Sequence, residues 1–64
     1  MTVREARVYV GRDCAVTWKD RFGMEQIAQT HIYKLGFVPR YGAYIMGDVD
    51  DVYLNKVTRI QPLE

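Results

Sequence analysis

Cys14 and His31 are each the sole residue of their kind in a chain of 64 residues, which restricts how such a chain can hold a fold. Domains this short bury only about 60% of the surface that the unfolded chain exposes, so they commonly lean on a disulfide, a metal or a partner subunit. One cysteine cannot close an intramolecular disulfide, and a lone cysteine fits a reducing compartment, read here as the cytoplasm. One cysteine and one histidine fall short of the four ligands that structural zinc requires. What remains is a well-packed core or a partner, so a homodimer stays open as a second source of stability.

Composition favours an ordered fold. Hydrophobic residues make up 48% of the chain and the net charge is +1, whereas disordered chains pair low hydrophobicity with high charge. The length predicts a single domain over residues 1–64. The start, Met1-Thr2-Val3-Arg4-Glu5, lacks the apolar stretch of a signal peptide, and no apolar run approaches membrane-spanning length. A soluble, intracellular protein is the expectation.

Charge is balanced overall but unevenly placed. Residues 1–40 carry seven basic and four acidic side chains, and residues 41–64 carry two basic and four acidic. The surplus of three in the first forty residues is too small for a dedicated duplex-binding domain. The total is not acidic enough for a protein that imitates DNA by charge.

Alternation from Val3 to Val10 predicts a half-buried strand, with Ala6, Val8 and Val10 on one side and Glu5, Arg7 and Tyr9 on the other. Gly11-Arg12-Asp13 reads as a turn, and Cys14, Val16 and Trp18 share the buried face of a second strand. Met24, Ile27, Ala28, His31, Ile32 and Leu35 recur at helical spacing, which predicts an amphipathic helix over 24–35. Asp20 and Gly23 are its N-cap candidates, Gly36 its closing glycine and Pro39 its stop. Residues 41–46 predict a strand and 47–51 an acidic turn. Residues 52–62 match both strand and helix, and Val57-Thr58-Arg59-Ile60 favours strand, with a bulge near Asn55-Lys56. The expected fold class is α+β: a small antiparallel sheet in the order β-β-α-β-β, with the helix packed on one face.

Catalytic chemistry finds little to work with. Serine is absent, leaving Cys14 as the best nucleophile and His31 as the one base that titrates near neutrality. The apolar face predicted for Cys14 would bury the thiol and make it inert, and His31 lies on the helix's apolar stripe. Asp48, Asp50 and Asp51 suggest a calcium loop, yet counting from Asp48 the sixth position is Tyr53 rather than glycine and the twelfth is Arg59 rather than glutamate. A solvated acidic turn is the reading. The five glycines are too dispersed for a phosphate-cradling loop, and no cofactor or metal is expected. The chain reads as a binding protein rather than an enzyme.

The positive signal is aromatic. Five tyrosines and a tryptophan are many for a core this small, and tyrosine with arginine is enriched at the centres of protein interfaces. Arg7 and Tyr9 share the outer face of the first predicted strand, while Arg40, Tyr41 and Tyr44 cluster after the helix. Such groups also stack single-stranded bases, so a nucleic-acid module using the basic first forty residues is the alternative to protein recognition.

The layout of a small sheet with one helix resembles that of short phage proteins that inhibit host enzymes, among them the phage T7-type inhibitor of bacterial RNA polymerase. Val57-Thr58-Arg59-Ile60-Gln61-Pro62 looks like the terminal strand of that inhibitor, with Arg59 in the place of a binding arginine and Gln61 where a second arginine would stand. The resemblance implies a phage-encoded inhibitor or modulator that docks on a host enzyme in the host cytoplasm, with Arg7, Tyr9, Arg40, Tyr41, Tyr44 and Arg59 as the candidate binding residues.

Overall fold

The computed structural model describes residues 1–49 and 51–63. One short helix, α1 (Val3–Arg7), precedes six strands: β1 (Asp13–Lys19), β2 (Glu25–His31), β3 (Lys34–Val38), β4 (Gly42–Met46), β5 (Val52–Tyr53) and β6 (Val57–Pro62). They form two three-stranded antiparallel sheets, ordered β2-β1-β6 and β3-β4-β5. The α+β character holds, but the expected element order and helix packing do not.

The first departure is at residues 3–10, expected as a strand. Thr2 and Glu5 form a reciprocal capping box: Thr2 Oγ1 accepts from the Glu5 amide at 3.2 Å, and Glu5 Oε1 accepts from the Thr2 amide at 3.0 Å. Two otherwise unsatisfied donors are met locally, and this starts a helical turn where alternation alone suggested a strand. Ala6 is buried against the core while Val8 is exposed, so the alternating set never shares one buried face. The chain leaves α1 through successive turns, and Gly11 at φ +85° redirects it into β1.

The second departure is larger. Residues 24–35, expected as the amphipathic helix, are β2 and the start of β3. Ala28, Thr30 and Ile32 also alternate, and the β-branched pair Thr30 and Ile32 is fully packed while Met24 and Ile27 are exposed. Period two therefore decides the segment, because β1 supplies a strand to pair with. Asp20 and Gly23, the helix-cap candidates, instead build the β1–β2 turn. The Asp20 carboxylate accepts from the Phe22 and Met24 amides at 2.8 and 2.9 Å and from Gln26 Nε2 at 3.1 Å, and Gly23 takes φ +80°. Gly36 ends no helix: it lies inside β3, opposite Tyr44.

The two sheets meet on one bent length of chain. The Ile32 amide donates to Arg12 O at 3.0 Å, on the β1 side, and the next amide, Tyr33, donates to Met46 O at 2.8 Å, on the β4 side. The chain thus passes from one sheet to the other within two residues. Cys14, Val16, Ile32, Ile45, Val52, Leu54, Val57 and Ile60 fill the space between the sheets, with Ala6 closing one end and Tyr9, Trp18, Leu35 and Ala43 packed around them. The predicted strand over the 14–18 region is present, that over 41–46 is present as Gly42–Met46 with Tyr41 in the turn before it, and Cys14 and Val16 face the core as expected. In the 52–62 segment the strand reading holds for its two ends. Residues 54–56 form a turn rather than a bulge, and the register slip lies at Thr58, which has no partner between Val57↔Trp18 and Arg59↔Thr17. Thr58 Oγ1 donates to Thr17 O at 3.2 Å there.

Candidate functional site

Tyr41 emerges from the turn between β3 and β4, where Gly42 at φ +91° reverses the chain and the Tyr41 amide donates to Val38 O at 3.0 Å. Its ring, largely exposed, meets that of Tyr53 on β5 with centroids 5.9 Å apart and planes inclined at 51°. Tyr53 meets Tyr44 on β4 at 5.6 Å and 58°. Tilted contacts at these distances suit the quadrupoles of aromatic rings. Tyr44 in turn covers Gly36, where any Cβ would collide with its ring. A chain of three tyrosines therefore runs from Gly36 on β3, across the face of the second sheet turned away from the core, out to its rim.

That rim is one wall of a cleft of about 900 Å³. Trp18 and Lys19, at the end of β1, face it from the other sheet, beside Arg21 of the β1–β2 turn. Asp51, Val52 and Tyr53 form its side, and Lys56 closes it from the turn into β6, whose carbonyl holds the Lys19 amide at 3.1 Å. Asp20 also lines the cleft, but its carboxylate is occupied within its own turn. The Met24 amide bond, ahead of those from Phe22 and Gln26, holds Asp20 below the ordinary aspartate range. Among the described residues, Lys19, Arg21 and Lys56 form no ion pair, and the Arg21 guanidinium lies 5.9 Å from the Phe22 ring centroid, so the cleft offers three aromatic rings, three cations and the carboxylate of Asp51.

The six residues expected to bind are not brought together. Tyr41 and Tyr44 share the tyrosine chain, and Arg40 is exposed in the adjoining turn. Arg7 sits at the end of α1 and, with Lys34, edges a separate apolar groove of about 450 Å³ floored by Val3, Val10, Leu35 and Phe37. Tyr9, expected on an outer strand face beside Arg7, is half-buried against the core in the turn after α1, because residues 3–7 are helical. Arg59 is exposed on β6, its guanidinium donating to Gln61 Oε1 at 3.0 Å. The cleft residues missed from the sequence were Trp18, Lys19, Arg21, Tyr53 and Lys56. Lys19 and Arg21 flank the Asp20-Gly23 turn, and recognising that turn as a hairpin would have placed both at its mouth.

The remaining polar chemistry lies at the opposite end of β2. Asp48 receives the His31 amide at 3.1 Å and the Tyr33 hydroxyl at 2.7 Å, while its own amide donates to the buried Thr30 Oγ1 at 2.6 Å. It therefore ties the acidic turn to β2 while remaining exposed, and Asp50 of that turn lies outside the described residues. His31, expected on an apolar helix stripe, pairs through Nδ1 with Asp13 Oδ1 at 2.8 Å and lies 4.8 Å from the Tyr33 ring. Cys14 is paired with Thr30 and Asp13 with His31 across β1 and β2, so the thiol and the imidazole project from opposite faces of the sheet. They do not form a nucleophile–base pair. Among the described residues no helix is long and apolar enough to cross a membrane.

Comparisons with protein-family models, with curated proteins and with solved structures gave no match.

Proposed function

We propose that the chain is a small protein-binding module that acts by stoichiometric docking, with the Tyr41–Tyr53–Trp18 cleft as its contact surface. The observation that carries this reading is the set of aromatic and cationic side chains around one open cleft. Aromatic rings and arginine are the side chains in which interface energy concentrates, and here Tyr53 is already held by its two tyrosine neighbours. Little side-chain freedom would be lost on binding, which favours affinity. The suited partner is a protein segment that presents an acidic side chain next to an apolar or aromatic one. The narrower reading, a phage-encoded inhibitor of a host enzyme, rests on the terminal strand Val57–Pro62 and Arg59, since the helix of that layout has no counterpart at residues 24–35.

The second reading, a single-stranded nucleic acid, is favoured by Lys19, Arg21 and Lys56 around the same rings, an arrangement that suits bases stacked beside phosphates. Capture from bacterial lysate with and without nuclease separates the two, using wild type, a Tyr41→Ala/Arg21→Ala variant and an Arg4→Ala control on α1. A protein retained after nuclease by wild type and control, but lost by the double variant, supports protein docking at the cleft. Capture that vanishes with nuclease transfers the site to nucleic acid, and a retained protein indifferent to the double variant places the contact surface elsewhere.

A further inference from the structure

Among the described residues no strand pairs with the outer edge of β2, and its residues fit a second copy of this chain. The Ile32 amide points to β1 and the His31 amide points the other way, onto Asp48. Amides alternate in direction along a strand paired on one side, so Gln29, Ile27 and Glu25 present their N–H and C=O groups away from β1. That side is where β4 would continue, but the chain turns off after Met46 and Asp48 reaches back to cap His31 alone. Glu25, Ile27 and Gln29 are all exposed, and so is Met24 beside them.

Edge strands are commonly protected by lysine, proline, a bulge or shortness. The other edges here carry such features: β6 has the slip at Thr58 and ends at Pro62, β5 spans two residues, and β3 begins at Lys34. By contrast β2 spans seven residues with no lysine and no proline.

We propose that two copies of the chain join β2 to β2 in antiparallel fashion about a two-fold axis at Ile27, giving one continuous sheet in the order β6-β1-β2-β2-β1-β6. The register follows from the residues. Hydrogen bonds across the seam pass through residues 25, 27 and 29, because these carry the outward amides. A shift toward the C-terminus of β2 would need the His31 amide, which Asp48 already occupies. A shift toward the N-terminus leaves fewer pairs: centred on Gln26 it faces each Ile27 with Glu25, and centred on Glu25 it sets Glu25 against Glu25. Centred on Ile27, the seam sets Ile27 against Ile27 and Glu25 against Gln29 at both ends, so every outward residue is paired and no like charges meet. A two-fold interface of this kind is self-complementary by construction. It also covers Ile27, which is 69% exposed in the single chain.

Sedimentation equilibrium of the full chain over a range of concentrations tests this, with circular dichroism as the check on folding. Wild type is expected to show a monomer–dimer equilibrium. Gln29→Glu, which sets two carboxylates together at each end of the seam, should weaken the dimer by about fivefold or more, and Gln29→Lys should strengthen it by a similar factor through pairing with Glu25. Ile27→Lys should leave a folded monomer. A wild type that stays monomeric throughout overturns the proposal. So does a dimer that Ile27→Lys and both Gln29 variants leave unchanged, since its interface would lie elsewhere. Should Ile27→Lys fail to fold, the opposite signs of the two Gln29 variants still decide the register.

Discussion

The ring of Tyr44 lies across the backbone of Gly36, its directly opposite partner on β3, so closely that a Cβ at position 36 would fall onto ring carbons. Gly36 has no positive φ to explain its presence. Space for the ring is the reason for glycine here, and the ring is the inner member of the tyrosine chain that reaches the cleft.

Gly36→Ala is therefore expected to destabilise the fold by about 1–3 kcal/mol through overpacking. For a domain of this size that lowers Tm by roughly 4–24 °C. Tyr44→Ala frees the space, so the double variant should be less destabilised than the sum of the two single changes, a coupling that a double-mutant cycle measures directly. Strict additivity would mean that the two residues are not in contact.

Much of the strand content was legible in the sequence, because Cys14-Val16 and Ala43-Ile45 alternate with apolar side chains turned to the core. The helix over 24–35 misled because both periods are present there. Met24, Ile27, Ala28, Ile32 and Leu35 fit a helical stripe, while Ala28, Thr30 and Ile32 fit a strand, and the outcome was set by distant pairing with β1. Thr2 and Glu5, by contrast, are a local helix-start signal that the alternation of Val8 and Val10 obscured. Tyr41 and Tyr44 were legible as site candidates from composition. Trp18, Lys19 and Lys56 were not, since the fold brings them to Tyr41 from strand ends far apart in the chain.

Asp48 links β2 to the turn after β4, and its carboxylate sits below the ordinary aspartate range, held there first by the Tyr33 hydroxyl and then by the His31 amide. A carboxyl whose folded pKa lies below its unfolded value contributes stability above the unfolded pKa. That contribution disappears as pH falls through the folded value. Denaturation measured from about pH 5 down to about pH 2 should show wild type losing stability across this window, with a shallower loss for Asp48→Asn. Asp20 and Glu5, also lowered, keep that loss from vanishing altogether. The Tyr33 phenol is raised by the same hydrogen bond, so an ultraviolet titration should move it back down in Asp48→Asn.

Cys14 is fully buried, with its thiol 3.8 Å from Arg12 O. A thiol reagent should modify the folded protein at least about a hundredfold more slowly than the denatured one, because reaction requires the strand to open. Cys14→Ala should cost about 1–2 kcal/mol of stability and leave partner capture intact. Rapid labelling with loss of capture would assign Cys14 to function.

The chemistry of the cleft predicts different responses to salt for its two classes of partner. A single-stranded nucleic acid that engages Lys19, Arg21 and Lys56 would release counterions from about three phosphates, giving a slope near −2 in log K against log salt. Alanine at any one of the three should reduce the magnitude of that slope by about 0.7. For a protein partner the energy should concentrate in Tyr41 and its neighbours, and Tyr41→Ala should cost about 2 kcal/mol or more. Its largely exposed ring means that the thermal midpoint should barely move. Duplex DNA should bind more weakly than about 10 μM at physiological salt, as expected of non-specific contacts by a chain of net charge +1. Titration of a labelled oligonucleotide and of the captured protein partner at several salt concentrations checks all of these. A steep slope with sub-micromolar affinity for the oligonucleotide would make nucleic acid the ligand of the cleft. A shallow slope together with a large Tyr41→Ala effect would keep protein recognition in place.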